Sequence, residues 1–481
     1  MRIDEKQRRM VLTGNIWKAV IYITAPLFFY QFIINFYNII DQMMVSSINS
    51  ESVSAVATIA QIKNLISSIG SGLAAGGTLV VARLYGAGKI NEARKNANVV
   101  FSMASIVCIL ILTIMLPLSN HILTLAKVPD ELIKISDSYF KLQLVEQVVI
   151  VLNSLFISLE KAKCNTKIIF VSNIIIMAVK LILNSLFIYG FKITNLVFVE
   201  LASLLSQCVM LTIGCFRLFS KNNIFKISFK ELSLKWESVK KIILFSFPLF
   251  LSRFVMSFGK VTVNAMCGIY GSLTVGALGI SNNLGGIVTG PCLAIEEAES
   301  TMVSQNLGNK NMKRTFKIFK ANVIVSLSWA FIGFLFIRIL FQDQIIGLFN
   351  ISNKSPDFEQ MIKDIFYYDC LTIPALAINY VVLGLLYGYG QTFLATVNNV
   401  LRIVTRILTL WILQTYFPNI GAEAAGISMG ISNIIIALFA IVFFVFFLIK
   451  IKIKGYKGMH FKDKEPEMVE VDGILVNKEV L

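Results

Sequence analysis

Long apolar segments separated by short polar ones run through most of the chain, from Trp17 to Lys450. Many are about twenty residues long, the length that a helix needs to cross a hydrocarbon layer of about 30 Å. Backbone polar groups inside a membrane must be satisfied within the segment, so we interpret these segments as helices. The pattern predicts an all-α polytopic membrane protein with twelve transmembrane spans, near residues 20–47, 53–82, 96–125, 132–158, 167–190, 194–217, 241–268, 275–305, 320–348, 363–387, 394–417 and 421–450.

Composition supports a membrane protein and excludes other classes. Hydrophobic residues make up 56% of the chain and charged residues 15%, and the mean hydropathy is +0.73, which is more apolar than a soluble domain. The alternating ten-residue segments of an outer-membrane barrel are absent. The net charge of +16 comes from Lys and Arg in short connections rather than from one face. We therefore expect a lipid bilayer, and no nucleic acid, as the partner.

Basic residues alternate between the two ends of the spans, which predicts the orientation. They cluster before span 1 and after spans 2, 4, 6, 8 and 12, whereas the connections 46–54 and 418–425 carry none. Because Lys and Arg are retained in the cytoplasm, both termini should be cytoplasmic, in a bacterial inner membrane. The predicted organisation is a cytoplasmic N-terminus at 1–18, a six-helix bundle at 19–218, a Lys-rich amphipathic linker at 219–240, a second bundle at 241–450 and a polar tail at 451–481.

Cysteine and histidine usage predicts no metal site, cofactor or catalytic residue. The seven cysteines have no CxxC spacing and fall mostly in apolar stretches. The two histidines lie away from membrane depth, His121 near a predicted outer loop and His460 in the tail. Neither is placed for acid-base chemistry inside the bilayer.

An internal repeat relates the two sets of six spans. The Pro26 region that opens span 1 matches the Pro248 region that opens span 7, at a shift of 222 residues. The same shift superposes Gly86 on Gly308 in the turns after spans 2 and 8. Six helices per half is an even number, so the halves should share one orientation and form two pseudo-symmetric bundles. Duplicated transporters place their substrate site between the repeats.

Four segments carry a resemblance to a known family. They are Pro26 with NIIDQMMVSSI (38–48), GLAAGGTLVVARLYGAGKINEAR (72–94), STMVSQNLGNKN (300–311) and GLLYGYGQT (384–392). With these motifs the chain resembles the multidrug and toxic compound extrusion (MATE) family over nearly its whole length, within the superfamily that includes lipid-linked oligosaccharide flippases. The resemblance implies two six-helix bundles around a central cavity, and antiport of a bulky amphipathic substrate against Na⁺ or H⁺.

The candidate residues for cation coupling are Asp41, Lys180 and Asn184. Asp41 lies inside span 1, where an ionised carboxylate costs at least about 2.5 to 3.5 kcal/mol, and it matches the aspartate with which the family binds its coupling cation. Lys180 and Asn184 share one face of span 5, at positions where some members carry Asn and Asp. A lysine beside Asp41 favours coupling to H⁺ over Na⁺. A permanent Asp41–Lys180 ion pair is the structural alternative.

The candidates for substrate binding are Glu296, Glu299, Arg406 and Lys260. Glu296 and Glu299 lie near each other on span 8, at positions that are small residues in the first half, and such a cluster suits a cationic substrate. Glu297 points elsewhere and is the candidate partner of a bundle cation. Arg406 aligns with Lys180 and is expected to pair with a span 8 glutamate or to contact the substrate. Arg253, Lys260 and Arg402 are further cations at depth.

The leading hypothesis is a monomeric secondary antiporter that exports small amphipathic, cationic compounds in exchange for H⁺ or Na⁺ by alternating access. One alternative is a lipid-linked saccharide flippase of the same superfamily, which a clearly cationic cavity would favour. A membrane-embedded transferase is the alternative of another class. It would need a base at membrane depth, and the missing intramembrane histidine counts against it.

Overall fold

The structure of the protein is a computed structural model. It describes residues 3–46, 50–125, 130–192, 195–232, 234–340, 343–344, 346, 356–454, 468–471 and 474–477. Side chains are described over a narrower range, which excludes residues 3–4, 36, 38–39, 41–61, 125, 130–136, 196, 229, 272, 340, 356–357 and the chain from 454 onward. Two units are distinguished, Met1–Ile441 and Val442–Leu481. Apart from the strand pair in the tail, every contact discussed below lies within the first unit.

Helices account for nearly all of the described chain. The α-helices are α1 (Ile3–Thr13), α2 (Ile16–Ser46), α3 (Ser50–Gly86), α4 (Ile90–Leu110), α5 (Ser119–Leu125), α6 (Asp130–Ala162), α7 (Thr166–Ser185), α8 (Leu196–Leu218), α9 (Trp236–Cys267), α10 (Ser272–Gly308), α11 (Met312–Phe334), α12 (Pro356–Leu371), α13 (Ile373–Gly388), α14 (Thr392–Tyr416) and α15 (Glu423–Lys454). Helices α4, α7 and α11 continue into π-helical turns, at Ile111–Met115, Leu186–Gly190 and Leu335–Leu340. In the tail, strands β1 (Met468–Val471) and β2 (Ile474–Asn477) pair antiparallel, with Val469 opposite Val476.

The predicted plan of twelve transmembrane spans is confirmed. Among the described residues, eleven helices are long and apolar enough to cross a membrane, and the bent pair α12 and α13 makes a twelfth span. The two helices of that pair meet at 47°. The sequence predicted one continuous helix there. Pro374 stands in the first turn of α13, where its missing N–H is harmless, and it ends the hydrogen-bond ladder of the helix before it.

The first unit contains two halves that pack through a few long helices. We call α2–α8 the N-terminal half and the helices from α9 onward the C-terminal half. Helix α3 packs along α9, and α10 packs along both α2 and α3. Glycines allow this approach: a Cβ on Gly76 would lie 2.6 Å from the backbone of Ser246, and one on Gly72 would lie 2.6 Å from the Cα of Phe250.

Two of the contacts between the halves are related by the repeat. A Cβ on Gly86 would lie 2.0 Å from the carbonyl oxygen of Gln305, and a Cβ on Gly308 would lie 2.0 Å from the carbonyl oxygen of Arg83. Gly308 follows Gly86, and Gln305 follows Arg83, by the same 222 residues. The ends of α3 and α10 therefore touch through two equivalent contacts, as an approximate two-fold axis requires.

The segment before span 1, predicted as a cytoplasmic terminus, contains a helix that packs on the protein. Val11 and Leu12 of α1 are buried. Arg314, at the start of α11, donates hydrogen bonds to the carbonyl oxygens of Met10, Val11 and Gly14 at 3.3, 2.8 and 2.6 Å. These carbonyls lie at the C-terminal end of α1, where helices leave acceptors unsatisfied and favour a cation.

The connection between the halves is ordered against the N-terminal half. Phe225 is fully buried, with its ring 5.3 Å from that of Tyr85. Asn98 of α4 donates to the carbonyl of Lys226 and accepts from the backbone N–H of Ser228. Helix α9 begins at Trp236, before the predicted end of the linker at residue 240. The predicted domain boundaries themselves remain predictions.

Candidate functional site

A cavity of about 880 Å³ lies between the two halves. Helices α2, α3, α6 and α7 line it from one side, and α9, α10, α13 and α14 from the other. Among the described residues, apolar side chains, three tyrosines and six charged residues share the lining; the charged ones are Lys161, Arg253, Lys260, Glu296, Glu297 and Arg402. The tyrosines are Tyr30, Tyr380 and Tyr387. Such a mixed surface suits an amphipathic molecule of drug size.

The halves touch on the side of the cavity that is predicted to be cytoplasmic. Gln305 donates to the carbonyl of Ala162 at 2.7 Å, and Arg83 donates to the carbonyl of Gly388 at 3.0 Å. Both bonds join one half to the other. Together with the Gly86 and Gly308 contacts, they close that end of the cavity.

Glu297 forms the charged contact at this closed end. Its carboxylate pairs with Lys161 of α6 at 2.5 Å and with Arg253 of α9 at 3.8 Å. The expectation that Glu297 pairs with a cation is confirmed. The expectation that it points away from the site is wrong, because its side chain lines the cavity. The ion pair with Lys161 also joins the two halves, which the sequence did not suggest.

The two span 8 glutamates that the sequence grouped as an acidic cluster, Glu296 and Glu299, do not both face the cavity. Glu296 lines the cavity. Glu299 is fully buried behind the lining, against α13, where a Cβ on Gly384 would lie 3.0 Å from its Oε2. With Glu297 neutralised by Lys161 and Arg253, Glu296 is the remaining carboxylate on the described wall. Glu296 and Glu299 interact electrostatically, as expected, but they do not face the cavity as a pair, and the cationic substrate remains a prediction.

The C-terminal half carries a cluster of cations beside the cavity. Lys260 and Arg402 line it, whereas Arg406 is buried behind the wall. Arg406 donates to Ser432 at 3.1 Å and to the Oδ1 of Asn433 at 3.2 Å. The expected pairing of Arg406 with a span 8 glutamate is wrong, because α14 turns this residue toward α15. Its role as a substrate contact remains a prediction.

Asp369 is the carboxylate that interacts with these arginines. It is buried in α12 and interacts electrostatically with Arg402 and Arg406. Asn433 connects the three residues: its amide nitrogen donates to Asp369 at 3.0 Å, and its oxygen accepts from Arg402 at 3.0 Å. The same amide nitrogen lies 3.0 Å from the hydroxyl of Thr372, at the bend between α12 and α13.

The coupling candidates lie in the N-terminal half. Asp41 is in α2, but its side chain lies outside the described residues, so the pair with Lys180 stays a prediction. The ammonium group of Lys180 lies 5.5 Å from the centre of the Tyr37 ring, a cation–π contact. Asn184, one turn along α7, is fully buried.

Three charged residues near Lys180 were missed by the sequence analysis. Lys63 of α3 pairs with Glu146 of α6 and lies 3.6 Å from Glu200 of α8. Both glutamate side chains are 4% exposed, and Lys180 is close enough to interact electrostatically with all three. Each of the three stands alone in an apolar segment, which is the signal that singled out Asp41.

The sequence profile of one protein family matches this chain in two segments. The profile is that of MatE, and it covers residues 26–186 and 248–412. The segments begin 222 residues apart, which equals the shift of the internal repeat.

The chain belongs to the MatE family. Its members are transporters and not enzymes, so this MatE protein is a multi-pass membrane transporter. The membrane-embedded transferase considered above is thereby excluded.

Several known proteins are similar to this MatE transporter in sequence or in fold. A relative from Bacillus subtilis (strain 168), described as the probable multidrug resistance protein YpnP, is 24% identical over 325 residues, which cover 66% of this chain and 69% of the relative. A MATE family multidrug resistance transporter solved in an outward-facing conformation has a TM-score of 0.85 at 20% identity. A transporter from Pyrococcus furiosus, described as having a binding pocket of reverse polarity, has a TM-score of 0.86 at 19% identity. Each of these two structures covers 92% of this chain and is itself covered to 98%.

Proposed function

We propose that this MatE transporter is a secondary antiporter that exports a small amphipathic compound from a bacterial cell in exchange for H⁺. The observation that carries the proposal is the cavity of about 880 Å³ between the repeated halves, closed at its predicted cytoplasmic end. A cavity between two rocking halves is the arrangement that alternating access uses. The similarity to proteins described as multidrug resistance transporters supports the same function.

The state described here is proposed to be outward-facing, in the inner membrane, with both termini in the cytoplasm. The Lys and Arg distribution supports that orientation. With the predicted cytoplasmic end closed, substrate would leave toward the outside. The duplicated halves supply both walls of the cavity, so a single chain is sufficient for transport and we propose a monomer.

Coupling is assigned to Asp41, Lys180 and Asn184, together with the ionic cluster that the structure adds beside them. Lys63, Glu146 and Glu200 bring charges from α3, α6 and α8 to Lys180 on α7. Protonation of a glutamate would weaken its hold on Lys63 and change the packing of these helices, because buried ion pairs depend on both partners. Two lysines already supply positive charge here, which favours H⁺ over Na⁺.

A lipid-linked saccharide flippase remains the second candidate. The observation that favours it is the charge of the cavity lining, which has four cations against two carboxylates. A flippase would use such cations to hold a pyrophosphate group.

Antiport is tested with the full-length protein in proteoliposomes loaded with tetramethylrhodamine methyl ester, a cation, or with fluorescein, an anion. An imposed pH gradient should accelerate the release of at least one dye from the wild type. Asp41→Asn and Glu200→Gln should abolish the acceleration. Glu92→Gln, which removes an exposed carboxylate paired with Lys89 at 3.4 Å, should keep it. If a sodium gradient alone drives release, coupling to H⁺ is wrong; if no gradient changes release of either dye, antiport itself is contradicted.

A further inference from the structure

We propose that the α9–α14 side of the cavity binds the anionic group of the substrate, through Lys260 and Arg402. The inference rests on the proposed function only in taking the cavity between the halves as the substrate site. It assigns to that site a chemical class of ligand, an amphipathic organic anion, opposite to the cation that the span 8 glutamates suggested.

Close helix packing places the two cations side by side. A Cβ on Gly259 would lie 2.3 Å from a methyl carbon of Ile403, so α9 and α14 are in tight contact at this level. Lys260 and Arg402 are the neighbours of these two residues along their helices, and both line the cavity. The side chain of Lys260 is exposed to it.

Lys260 has cations rather than carboxylates as its charged neighbours. It interacts electrostatically with Arg402 and Arg406. Within the described part of the chain, no carboxylate forms an ion pair with it. Two like charges that face one cavity repel each other until an anion lies between them, so an anionic ligand would gain affinity from both.

The carboxylate that interacts with these arginines is already engaged. Asp369 is buried in α12 and accepts a hydrogen bond from Asn433, behind the cavity wall. It balances one unit of the charge on Arg402 and Arg406. Among the described residues, the three cations Lys260, Arg402 and Arg406 therefore share one carboxylate on the C-terminal side of the cavity.

The other charged part of the cavity contains both cations and carboxyl groups. Lys161 and Arg253 face Glu297, and Arg253 also interacts electrostatically with Glu296. Two cations and two carboxyl groups face each other there, so this region has acidic partners on the described cavity wall that Lys260 and Arg402 lack. The cations of the described lining that have no acidic partner on it are thus Lys260 and Arg402. At this position they would favour an anionic ligand over a cationic one.

The remaining lining fits the apolar part of such a ligand. Met256 and Val261 of α9 and Leu293 of α10 line the cavity near these cations, and the hydroxyl of Tyr380 interacts with Arg402. An apolar body of one or a few rings would contact these side chains while its carboxylate, sulfonate or phosphate meets the cations. Both a soluble amphipathic anion and the headgroup of a lipid have this chemistry.

Equilibrium binding tests the inference with two dyes that share one ring system and differ in charge. Full-length protein in detergent is titrated against fluorescein and against tetramethylrhodamine methyl ester, with fluorescence anisotropy as the readout. We expect the wild type to bind fluorescein more tightly. Lys260→Gln should weaken fluorescein binding by about tenfold, the loss of one charge-assisted hydrogen bond, without weakening the cationic dye. Lys260→Arg should retain fluorescein binding.

Lys320→Gln is the matched control, because it removes an exposed lysine of α11 that does not line the cavity. Competition against fluorescein with taurocholate, a soluble sulfonate, and with dihexanoyl phosphatidylglycerol distinguishes the two sources of the anion. Displacement by either one supports the inference and names the source. Tighter binding of the cationic dye by the wild type, or an unchanged dye preference in Lys260→Gln, would overturn it. Binding is read without a gradient, so this result is independent of whether the protein is an antiporter.

Discussion

Lys161 and Glu297 form an ion pair of 2.5 Å that joins α6 of one half to α10 of the other, at the closed end of the cavity. Both side chains are partly buried, 19% and 24% exposed. An inward-open state would have to separate them, since they belong to different halves. In the alternating-access transport that we propose, the pair would therefore contribute to the balance between the two states rather than to the stability of either half alone.

Glu297→Gln should make the closed end open more often. Loss of a partly exposed ion pair changes an equilibrium by about 1 kcal/mol, which is about fivefold. Cys164 reports the opening, because it is fully buried and its sulfur accepts from Gln305 of the other half at 3.4 Å. We expect alkylation of Cys164 by N-ethylmaleimide to be about fivefold faster, measured by mass spectrometry of its peptide. Glu92→Gln should leave the alkylation rate unchanged. An unchanged rate in Glu297→Gln would argue against a role of the Lys161–Glu297 pair in closing the cavity.

Gly308→Ala should destabilise the protein, because the new methyl group meets the carbonyl of Arg83. Overpacking of this kind costs about 1 to 3 kcal/mol. The matched control is Gly279→Ala on the same helix, where a Cβ has nothing within 4 Å and helix propensity favours alanine by about 1 kcal/mol. Thermal unfolding in detergent, followed by tryptophan fluorescence, should show a lower unfolding temperature than the wild type for Gly308→Ala but not for Gly279→Ala. Equal midpoints would mean that the contact can relax at no cost.

Arg314→Gln should release α1 from the body of the protein. The arginine bonds three carbonyls at the end of that helix. Hydrogen bonds to a charged group are each worth about 1.5 to 3 kcal/mol, so we expect trypsin to cleave after Arg9 at least about tenfold faster. Lys313→Gln, which removes the exposed cation next to it, is the control. Equal cleavage in the two variants would show that other contacts hold α1.

Asp369→Asn should be strongly destabilising although it keeps the shape of the side chain. It leaves Arg402 and Arg406 without their buried carboxylate, a change that costs about 3 kcal/mol in comparable sites. Asp364→Asn, in an exposed pair with Gln360, should have almost no effect. The double variant Asp369→Asn with Arg406→Gln should unfold at a higher temperature than Asp369→Asn by itself. Failure to recover would indicate that Asp369 acts through Asn433 rather than through its charge.

The spans were predictable because length and hydropathy are local properties of a segment. The break in the tenth span was not predicted, although Pro374 was visible, because an interior proline is compatible with either a kink or an end. Helix α1 was missed for a different reason. Most of its residues are polar, and Arg314, which bonds the carbonyls at its C-terminal end, lies 300 residues after Gly14 in the chain.

The sequence identified individual charged residues as candidates, but it did not identify the residues with which they interact. From the sequence, Lys161 was interpreted only as a basic residue in the connection after span 4. In the structure α6 continues to Ala162, and Lys161 lines the cavity. Glu299 looked equivalent to Glu296, one turn away, yet it packs against α13 while Glu296 faces the cavity. Which side of a helix faces a cavity depends on its neighbours, and periodicity alone does not reveal it.

The contacts at Gly86 and Gly308 carry information about how such a chain can arise. A patch that touches its own copy across a two-fold axis needs only one sequence to be self-complementary. A half-length protein with this glycine and the carbonyl three residues before it could therefore pair with a second copy of itself, before any fusion of the two genes. Once the copies are joined, the paired contact still constrains the glycines, whereas a position outside it, such as Glu297, which aligns with Ala75, is free to become different in the two halves.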